Sequence, residues 1–547
     1  MTERLNFTKG ELLEDTARRF PKNDAVVYPD RGLRYNYREF NAVCDRVAKG
    51  LMALGIEKGE HVAIWATNVP EWLILDFATG KMGAVLVTVN TLYKTRELEY
   101  ILNQSDATTL VLIRGFRDTD YVETLYEAAP RIKELPFGTA GNENLPFLKR
   151  AIFIGDETPE GMMNFRDLEK LGDQVADADY QARKDSLDQH EVINMQYTSG
   201  TTGFPKGVQL THFNIANDGF WIGACQNLSA VDRVCIPVPL FHCFGCVLGV
   251  MACVNHGATM VMLERFDAVT MMMSIEKERC TAAYGVPTMY IAILDHPLFN
   301  KFNYSSLRTG LMSGSPCPEI RMRQVVDLMN ATEISIPYGL TESGPVMTQT
   351  RYFEKDMRNK CKTIGQALPG IEVAIIDPES GEICEIGKPG EICCRGFNTM
   401  KGYYKMSGQT AACIDAKGWL HSGDIGHMDA EGYYFITGRL KDLIIRGGEN
   451  ISPKEVEDFI GHMEGVQDVQ LIGVPSKKYG EQPGAFIIRK PGAEIREEDV
   501  TDYCRNKIAW FKIPKYVRFV DAYPQTASGK IQKYLLREEA ARLWPDA

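Results

Sequence analysis

The chain has 547 residues, of which 44% are hydrophobic and 24% charged, and it carries a formal net charge of −11 with a pI near 5.5. This length exceeds what one hydrophobic core supports, so at least two domains are expected. The acidic balance argues against nucleic acid and anionic membrane as main partners, because their phosphate groups would repel the protein.

The start of the chain, MTERLNFTKGELLED, has no apolar signal region and too many acidic residues for a transit peptide. We therefore expect a cytoplasmic protein whose 14 cysteines are mostly reduced core thiols. The run from Val234 to Leu263 contains no Asp, Glu, Lys or Arg and is long enough to cross a bilayer. Because Pro237 and Pro239 break its first turns, we favour a buried strand, a turn and a buried helix from about Gly245, and expect no stable membrane insertion.

Helices and strands alternate in the N-terminal part. Thr8 and Glu11 have the spacing of a capping box for a first helix that ends before Pro21. HVAIWA predicts a strand, PEWLILDFATGKMG a helix and AVLVTVN a second strand, an order that implies parallel pairing. The same alternation recurs through ATMVML, a helix around Met272 to Arg279, and AAYGVP.

The pattern changes after about Gly365. IEVAIID, GEICCRG, GWLHSGDIGHMD and GYYFITG predict short strands separated by glycine turns, as in a small barrel or sheet. Beyond GRLKDLIIRGGENISP, the sequence predicts a helix (PKEVEDFIGHM), the strands VQLIGVP and GAFIIRK, and a helix over REEDVTDYCRNKIAWF. We therefore predict an N-terminal domain of residues 1–439 and an α+β C-terminal domain of residues 440–547.

The segment YTSGTTGFPKG, at positions 197–207, has part of a Walker A phosphate loop. Pro205 stands where the second glycine belongs, and Gly207 replaces the hydroxyl residue that would hold magnesium. Its glycines and hydroxyl groups suit anion binding, and Lys206 adds positive charge. The spacing alone fits a flexible surface loop equally well.

This segment resembles the phosphate-binding loop of the adenylate-forming (AMP-binding) superfamily, which includes acyl-CoA synthetases, aryl-CoA ligases, luciferase and peptide-synthetase adenylation domains. The resemblance extends over nearly the whole chain through further motifs in the family's order. It implies that the ATP phosphates are held by one set of loop residues: Thr198, Ser199, Gly200, Thr201, Thr202 and Lys206.

Two later motifs imply the nucleotide pocket. SGSPCP resembles the segment along the adenine, which would be contacted by Gly314, Ser315 and Pro316. In YGLTES, Tyr338 would stack on the adenine beside Gly339, Thr341 would touch the α-phosphate, and Glu342 would bind Mg²⁺ through a hard carboxylate oxygen. The family often has a polar residue two positions before the tyrosine, where this chain has Ile336.

The C-terminal motifs imply ribose, hinge and CoA residues. Asp424 of GWLHSGD and Arg439 of GRLKD would hold the ribose hydroxyls, and Lys441 would be the hinge. Lys530 of PQTASGK resembles the catalytic lysine that reaches the ATP from the C-terminal domain. Gly447 and Gly448 of IIRGGEN, which lack side chains, would leave room for the pantetheine arm of CoA.

PLFHCFG matches the family segment beside the acyl site. His242 is therefore the predicted gate of an apolar acyl pocket with Gly339, Pro345 and Val346, although an isolated histidine in an apolar run also fits a buried core residue. Cys243 and Cys246 form a CxxC with no second pair or metal-like histidine spacing nearby, so we interpret them as packing thiols.

The resemblance implies an α/β fold with two flanking α/β sheets, a small β-barrel from about residue 365 and a mobile C-terminal lid. The implied reaction is ATP-dependent ligation of a carboxylic acid to CoA through acyl-AMP, releasing AMP and pyrophosphate, with Mg²⁺. The chain's motif sequences most closely resemble those of medium-chain fatty acyl-CoA synthetases. Aryl- or alicyclic-carboxylate ligation and a catalytically silent nucleotide-binding protein remain alternatives, and a homodimer is left open.

Overall fold

A computed structural model describes residues 5–198, 205–315, 317–446, 449–505, 507–525 and 531–545. Contacts divide the chain into two compact units. The first comprises residues 1–373 and 394–420, and the second comprises residues 374–393 and 421–547. The predicted boundary at residues 439–440 separates a fixed domain from a mobile lid, and it stays a prediction because the two contact units do not describe motion.

The helices are α1 (Lys9–Arg19), α2 (Tyr37–Ala53), α3 (Pro70–Met82), α4 (Thr95–Gln104), α5 (Tyr121–Ala128), α6 (Arg166–Gly172), α7 (Asp177–Asp185), α8 (His212–Cys225), α9 (Ala252–His256), α10 (Ala268–Lys277), α11 (Pro287–Leu294), α12 (Glu319–Leu328), α13 (Met357–Lys362), α14 (Ser407–Cys413), α15 (Pro453–Gly461), α16 (Glu497–Cys504) and α17 (Lys533–Leu543). Short 3₁₀ turns cover Pro130–Lys133, Phe299–Lys301, Thr341–Ser343, Leu440–Asp442 and Trp510–Lys512, and a π-helix covers Phe244–Met251.

The strands are β1 (Asp24–Tyr28), β2 (Leu33–Asn36), β3 (His61–Trp65), β4 (Val85–Thr88), β5 (Thr109–Leu112), β6 (Gly115–Phe116), β7 (Thr119–Asp120), β8 (Arg150–Phe153), β9 (Met163–Asn164), β10 (Val192–Thr198), β11 (Lys206–Thr211), β12 (Arg233–Ile236), β13 (Thr259–Met262), β14 (Ala282–Gly285), β15 (Thr309–Met312), β16 (Pro337–Tyr338), β17 (Thr348–Gln349), β18 (Gln366–Ala367), β19 (Glu372–Ile376), β20 (Gly390–Arg395), β21 (Gly402–Tyr403), β22 (Leu420–Met428), β23 (Tyr434–Arg439), β24 (Ile444–Arg446), β25 (Glu449–Ile451), β26 (Val466–Ser476), β27 (Gly480–Arg489) and β28 (Tyr516–Phe519).

The first unit contains two large, mostly parallel sheets. One has six strands in the order β15-β14-β12-β13-β1-β2, and the other has eight in the order β21-β11-β10-β4-β3-β5-β8-β9. β3 and β4 pair in parallel, as the strand–helix–strand pattern predicts. A smaller sheet of β16, β17 and β18 carries the YGLTES region. The predicted pair of α/β sheets is thereby confirmed.

Local signals in the N-terminal part match the observed elements. Both hydrogen bonds of the predicted capping box form between Thr8 and Glu11, and α1 ends at Arg19, before Pro21. α2 buries an apolar face that includes Phe40 and Val47.

The charge-free run folds as predicted. It contains β12, a turn, a π-helix that begins at Phe244, α9 and β13, and its side chains are largely buried. Across the ranges that the structure describes, no helix is long and apolar enough to cross a membrane.

The second unit is built on mainly antiparallel strand pairs, with β28 parallel to β27. β19, β20, β22 and β23 form a four-stranded sheet, in which β19, β20 and β22 run on into the first unit. Closure of this region into a barrel stays a prediction. β25, β24, β27 and β26, with β28 beside β27, form a second sheet. The helix predicted over residues 496–511 ends at Cys504, because Arg505 has an extended ψ of 131°.

Candidate active site

The two ends of the predicted phosphate loop face each other across a strand pair. β10 and β11 are antiparallel, and their register places Thr198 opposite Lys206. The strands therefore fix both ends of the segment that connects them. The predicted phosphate contacts between these ends, Ser199, Gly200, Thr201 and Thr202, lie outside the described residues.

Tyr403 connects Lys206 to the proposed magnesium ligand, Glu342. The Nζ atom of Lys206 lies 4.5 Å from the centroid of the Tyr403 ring. On the same residue, the phenol hydroxyl donates a hydrogen bond of 2.7 Å to Oε1 of Glu342. Burial, reinforced by the Glu342 charge, raises the pKa of Tyr403, so the phenol keeps the proton that it donates. Two predicted ATP residues far apart in sequence thus meet on one side chain.

Strand pairing explains the position of Tyr403. β21 pairs with β11, so that Tyr403 lies opposite Val208. The main chain of Glu342 is tied to the same region, since its carbonyl accepts the Met400 N–H at 2.9 Å. Tyr403 was not identified from the sequence, because MKGYYK has no feature that reveals its long-range partners.

The YGLTES segment turns tightly between Tyr338 and Val346. A Cβ atom on Gly339 would lie 2.1 Å from the carbonyl oxygen of Pro345, so this close approach requires glycine. Thr341 and Glu342 follow in a 3₁₀ turn, where Thr341 is buried and Glu342 is half-buried. The predicted adenine, phosphate and acyl residues of this segment therefore belong to one compact loop.

Two buried side chains form hydrogen bonds with the main chain of Val346. Its N–H donates to Oδ2 of Asp218 at 2.9 Å, and its carbonyl accepts from Nδ2 of Asn398 at 3.0 Å. Burial raises the pKa of Asp218 well above its usual range, which favours the neutral acid. Neither residue was predicted to be part of the site, because their connection to Val346 depends on the tertiary fold.

His242 is exposed, so the alternative of a buried core histidine is wrong. Its Nδ1 accepts the Phe244 N–H at 3.2 Å. The neighbouring Cys243 thiol is buried, with Sγ 3.7 Å from Oγ1 of Thr341, and burial raises its pKa to about 12. A thiol in this state is a poor nucleophile, which supports the interpretation of Cys243 and the buried Cys246 as packing residues.

The predicted adenine segment follows β15. Gly314 has φ of +93°, a left-handed conformation that favours glycine, and Ser315 is exposed. Pro316 lies outside the described residues. Ile336 is 7% exposed and packs in a core cluster of the first unit. The apolar residue at this position is therefore explained by its place in the core.

In the second unit, the buried Asp424 forms an ion pair with the partly exposed Arg439. The two residues face each other in the β22–β23 register, and Nε of Arg439 donates to Oδ1 of Asp424 at 2.8 Å. Asp424 is 3% exposed. The main chain of Lys441 lies in the Leu440–Asp442 turn. The Lys441 side chain lies outside the described part, as do three further predicted site residues: Gly447, Gly448 and Lys530.

Comparisons with known proteins find related enzymes along nearly the whole chain. A family model described as AMP-binding enzyme matches residues 13–404, and one described as AMP-binding enzyme C-terminal domain matches residues 455–530. YngI of Bacillus subtilis, provisionally named an acyl-CoA synthetase, is 51% identical over 100% of this chain and 99% of that protein. The mitochondrial medium-chain acyl-CoA ligase ACSF2 of Homo sapiens is 36% identical over 98% of this chain and 88% of that protein. The crystal structure of ATP-bound MatB from Rhodopseudomonas palustris has a TM-score of 0.84 and 27% identity, covering 99% of this chain and 100% of that one.

The chain therefore belongs to the AMP-binding enzyme family. Within it, the chain is an AMP-forming acid–CoA ligase of the acyl-CoA synthetase type, which joins a carboxylic acid to CoA through an adenylate. ATP and CoA are the co-substrates of such enzymes.

Proposed function

We propose that this enzyme activates a medium-chain fatty acid as its CoA thioester, and that the residues around Tyr403 form its Mg²⁺–ATP site. The observation that carries the proposal is the contact of Tyr403 with both Lys206 and Glu342. Its likeness to ACSF2, named a medium-chain acyl-CoA ligase, supports the substrate class.

In the first half-reaction, a carboxylate oxygen attacks the α-phosphorus of ATP. The new bond joins this oxygen to phosphorus, and the bond to the bridging oxygen of pyrophosphate breaks. Both reactants are anionic, so the site must supply positive charge and donors that act on the transition state. Lys206 and Lys530 would supply charge, Thr341 a donor to the α-phosphate, and Tyr338 a stacking surface for the adenine.

The residues present fit a magnesium ion. Glu342 offers a half-buried carboxylate, and the hydroxyl of Tyr403 fixes one of its oxygens. Hard oxygen ligands of this kind are those that Mg²⁺ prefers. When bound, the ion would neutralise charge on the phosphate oxygens.

In the second half-reaction, the CoA sulfur attacks the acyl carbonyl carbon. The carbon–sulfur bond forms, AMP leaves with the electrons of the anhydride bond, and the thiol proton passes to solvent. We propose that rotation about Lys441 withdraws Lys530 and presents Gly447 and Gly448 to the pantetheine arm. Asp424 would hold the ribose hydroxyls with Arg439.

The acyl group is proposed to lie between His242 and the Gly339–Val346 loop, lined by side chains from the charge-free run. An apolar pocket discriminates weakly per methylene, so it fixes an acid class more readily than a chain length. An aryl or alicyclic carboxylate is the second candidate. A cytoplasmic setting is proposed, in which the 14 cysteines stay reduced. The alternative is a mitochondrial location, since ACSF2 is named a mitochondrial protein.

The test is carboxylate-dependent release of pyrophosphate, measured with and without CoA over a panel of acids. The panel contains straight-chain acids from butyrate to palmitate, benzoate, cyclohexanecarboxylate and malonate. The highest kcat/KM should belong to a straight-chain acid of intermediate length, with thioester formed only when CoA is present. Preference for benzoate would favour the aryl alternative, and no release with any acid would favour a silent nucleotide-binding protein.

A further inference from the structure

Three side chains with metal-binding atoms meet on one face of the four-stranded sheet. Glu391 and Cys393 are two residues apart on β20, so their side chains share a face, and His421 lies on the adjacent strand β22. Nδ1 of His421 is 3.4 Å from Sγ of Cys393 and 2.7 Å from Oε2 of Glu391. The three ligand atoms all lie within 4.8 Å of one another.

The donor set indicates which kind of cation the cluster suits. A thiolate, an imidazole and a carboxylate together favour a borderline-soft divalent cation such as Zn²⁺, whereas Mg²⁺ prefers oxygen donors alone. Tetrahedral zinc bonds would separate sulfur from nitrogen by about 3.5 Å and nitrogen from oxygen by about 3.3 Å. The sulfur–nitrogen separation is already close to this value, and the nitrogen–oxygen separation would have to lengthen by only about 0.6 Å.

The surroundings of the cluster fix one ligand and leave one side open. The Gly423 N–H donates to Oε1 of Glu391 at 2.8 Å, which orients the carboxylate with Oε2 toward His421. Cys393 is fully buried and the Glu391 side chain is 8% exposed. The His421 side chain is 29% exposed, which leaves solvent access for a fourth, water ligand.

We propose that Glu391, Cys393 and His421 form a binding site for one zinc-class divalent cation, separate from the proposed Mg²⁺–ATP residues. On binding, the thiol proton of Cys393 leaves to solvent, and the imidazole keeps its proton on Nε2 while Nδ1 ligates the cation. The bound cation joins β20 to β22, three residues before the proposed ribose ligand Asp424. This site does not depend on the acyl substrate or on the roles of Glu342 and Lys530.

The test uses Co²⁺ and Zn²⁺ as probes on the full-length, chelator-treated enzyme. One Co²⁺ should bind per chain with a thiolate-to-cobalt charge-transfer absorption, and Zn²⁺ should displace it. Cys393→Ser should remove this absorption and weaken binding by at least about 100-fold, since loss of even an outer partner of a metal ligand costs 10- to 100-fold. Cys394→Ser is the matched control, because Cys394 is the next residue, equally buried and on the opposite face of β20.

His421→Gln is a second variant that keeps a polar side chain, and it should weaken binding as Cys393→Ser does. Circular dichroism and retained pyrophosphate release would establish that each variant is folded. The proposal is overturned if the wild-type enzyme binds no stoichiometric Co²⁺ through a thiolate. It is equally overturned if folded Cys393→Ser or His421→Gln binds as tightly as the wild type, or if Cys394→Ser loses the absorption too. Failure here would leave the carboxylate-dependent reaction unaffected.

Discussion

Tyr403→Phe removes one hydroxyl from the proposed ATP site and keeps the ring that faces Lys206. The lost contact is the 2.7 Å hydrogen bond to the Glu342 carboxylate. A hydrogen bond to a charged group contributes about 1.5–3 kcal/mol. If the whole of this is lost from the adenylation transition state, kcat/KM for Mg²⁺–ATP should fall about 10- to 150-fold.

The loss should be confined to one half-reaction. Glu342 is proposed to act on Mg²⁺ and ATP, whereas the attack of CoA on supplied acyl-AMP needs neither. Pyrophosphate release by Tyr403→Phe should therefore require more Mg²⁺ for half-saturation, while thioester formation from acyl-AMP stays near the wild-type rate. Tyr403→Phe keeps the aromatic ring beside Lys206, whereas Tyr403→Ala removes it, so Tyr403→Ala should be the more damaging change.

Binding of Mn²⁺ in the presence of ATP, followed by electron paramagnetic resonance without any acid, gives a measurement that does not depend on turnover. Tyr404→Phe is the matched control, because this adjacent hydroxyl donates to Asp106 at 2.9 Å. It should leave Mn²⁺ binding and both half-reactions unchanged. If Tyr403→Phe and Tyr404→Phe behave alike in both measurements, Tyr403 does not position Glu342 for the cation.

Lys530→Ala should lower the rate of acyl-AMP formation by roughly 10²–10³ or more while sparing thioester formation from supplied acyl-AMP; equal loss in both would contradict a role in the first step alone. The raised pKa of Asp218 keeps the folded state protonated at pH values where the unfolded state has lost this proton. Relative to Asp218→Asn, the wild type should therefore lose up to about 1.4 kcal/mol of unfolding free energy per pH unit, from about pH 4 up to the raised folded-state pKa. Denaturant titrations at pH 5 and 7 check this, and a pH-independent difference would refute it. His212 should give the opposite pH dependence, because burial lowers its pKa to about 3. Relative to His212→Gln, the wild type should lose about 1.4 kcal/mol of unfolding free energy per pH unit as the pH falls below 6.5. Parallel stability curves for the two proteins between pH 6.5 and 5 would contradict this.

Local sequence signals predicted much of the fold because they act over a few residues. The Thr8–Glu11 capping box depends only on helical spacing, and it forms as predicted. The over-long helix at residues 496–511 shows the limit of such signals. Ile508 and Phe511 still pack against the core of the second unit, although the helix ends at Cys504. The apolar residues therefore contact the core as a helix would have them do, but the backbone that carries them is not helical after Cys504.

The candidate site divides in the same way. Motifs found Lys206, Thr341 and Glu342, because each motif keeps its residues close in sequence. Tyr403 and Asp218 act through contacts with residues 61 and 128 positions away, respectively. Such contacts follow from strand pairing and helix packing, which a single sequence does not specify. The Glu391–His421 pair, 30 positions apart, was missed for the same reason.

The charge of Asp218 matters for the proposed substrate as well as for stability. Its carboxyl contacts the peptide of Val346, in the loop proposed to line the acyl group, and no partner is found for its Oδ1 among the described residues. An ionised carboxylate buried there would be costly, and it would also repel the carboxylate that must approach ATP. The neutral acid removes both costs and keeps its acceptor bond to the Val346 N–H. Burial of Asp218 therefore leaves Glu342 as the proposed ligand of Mg²⁺, and the neutral Asp218 does not oppose an anionic substrate in the proposed acyl site.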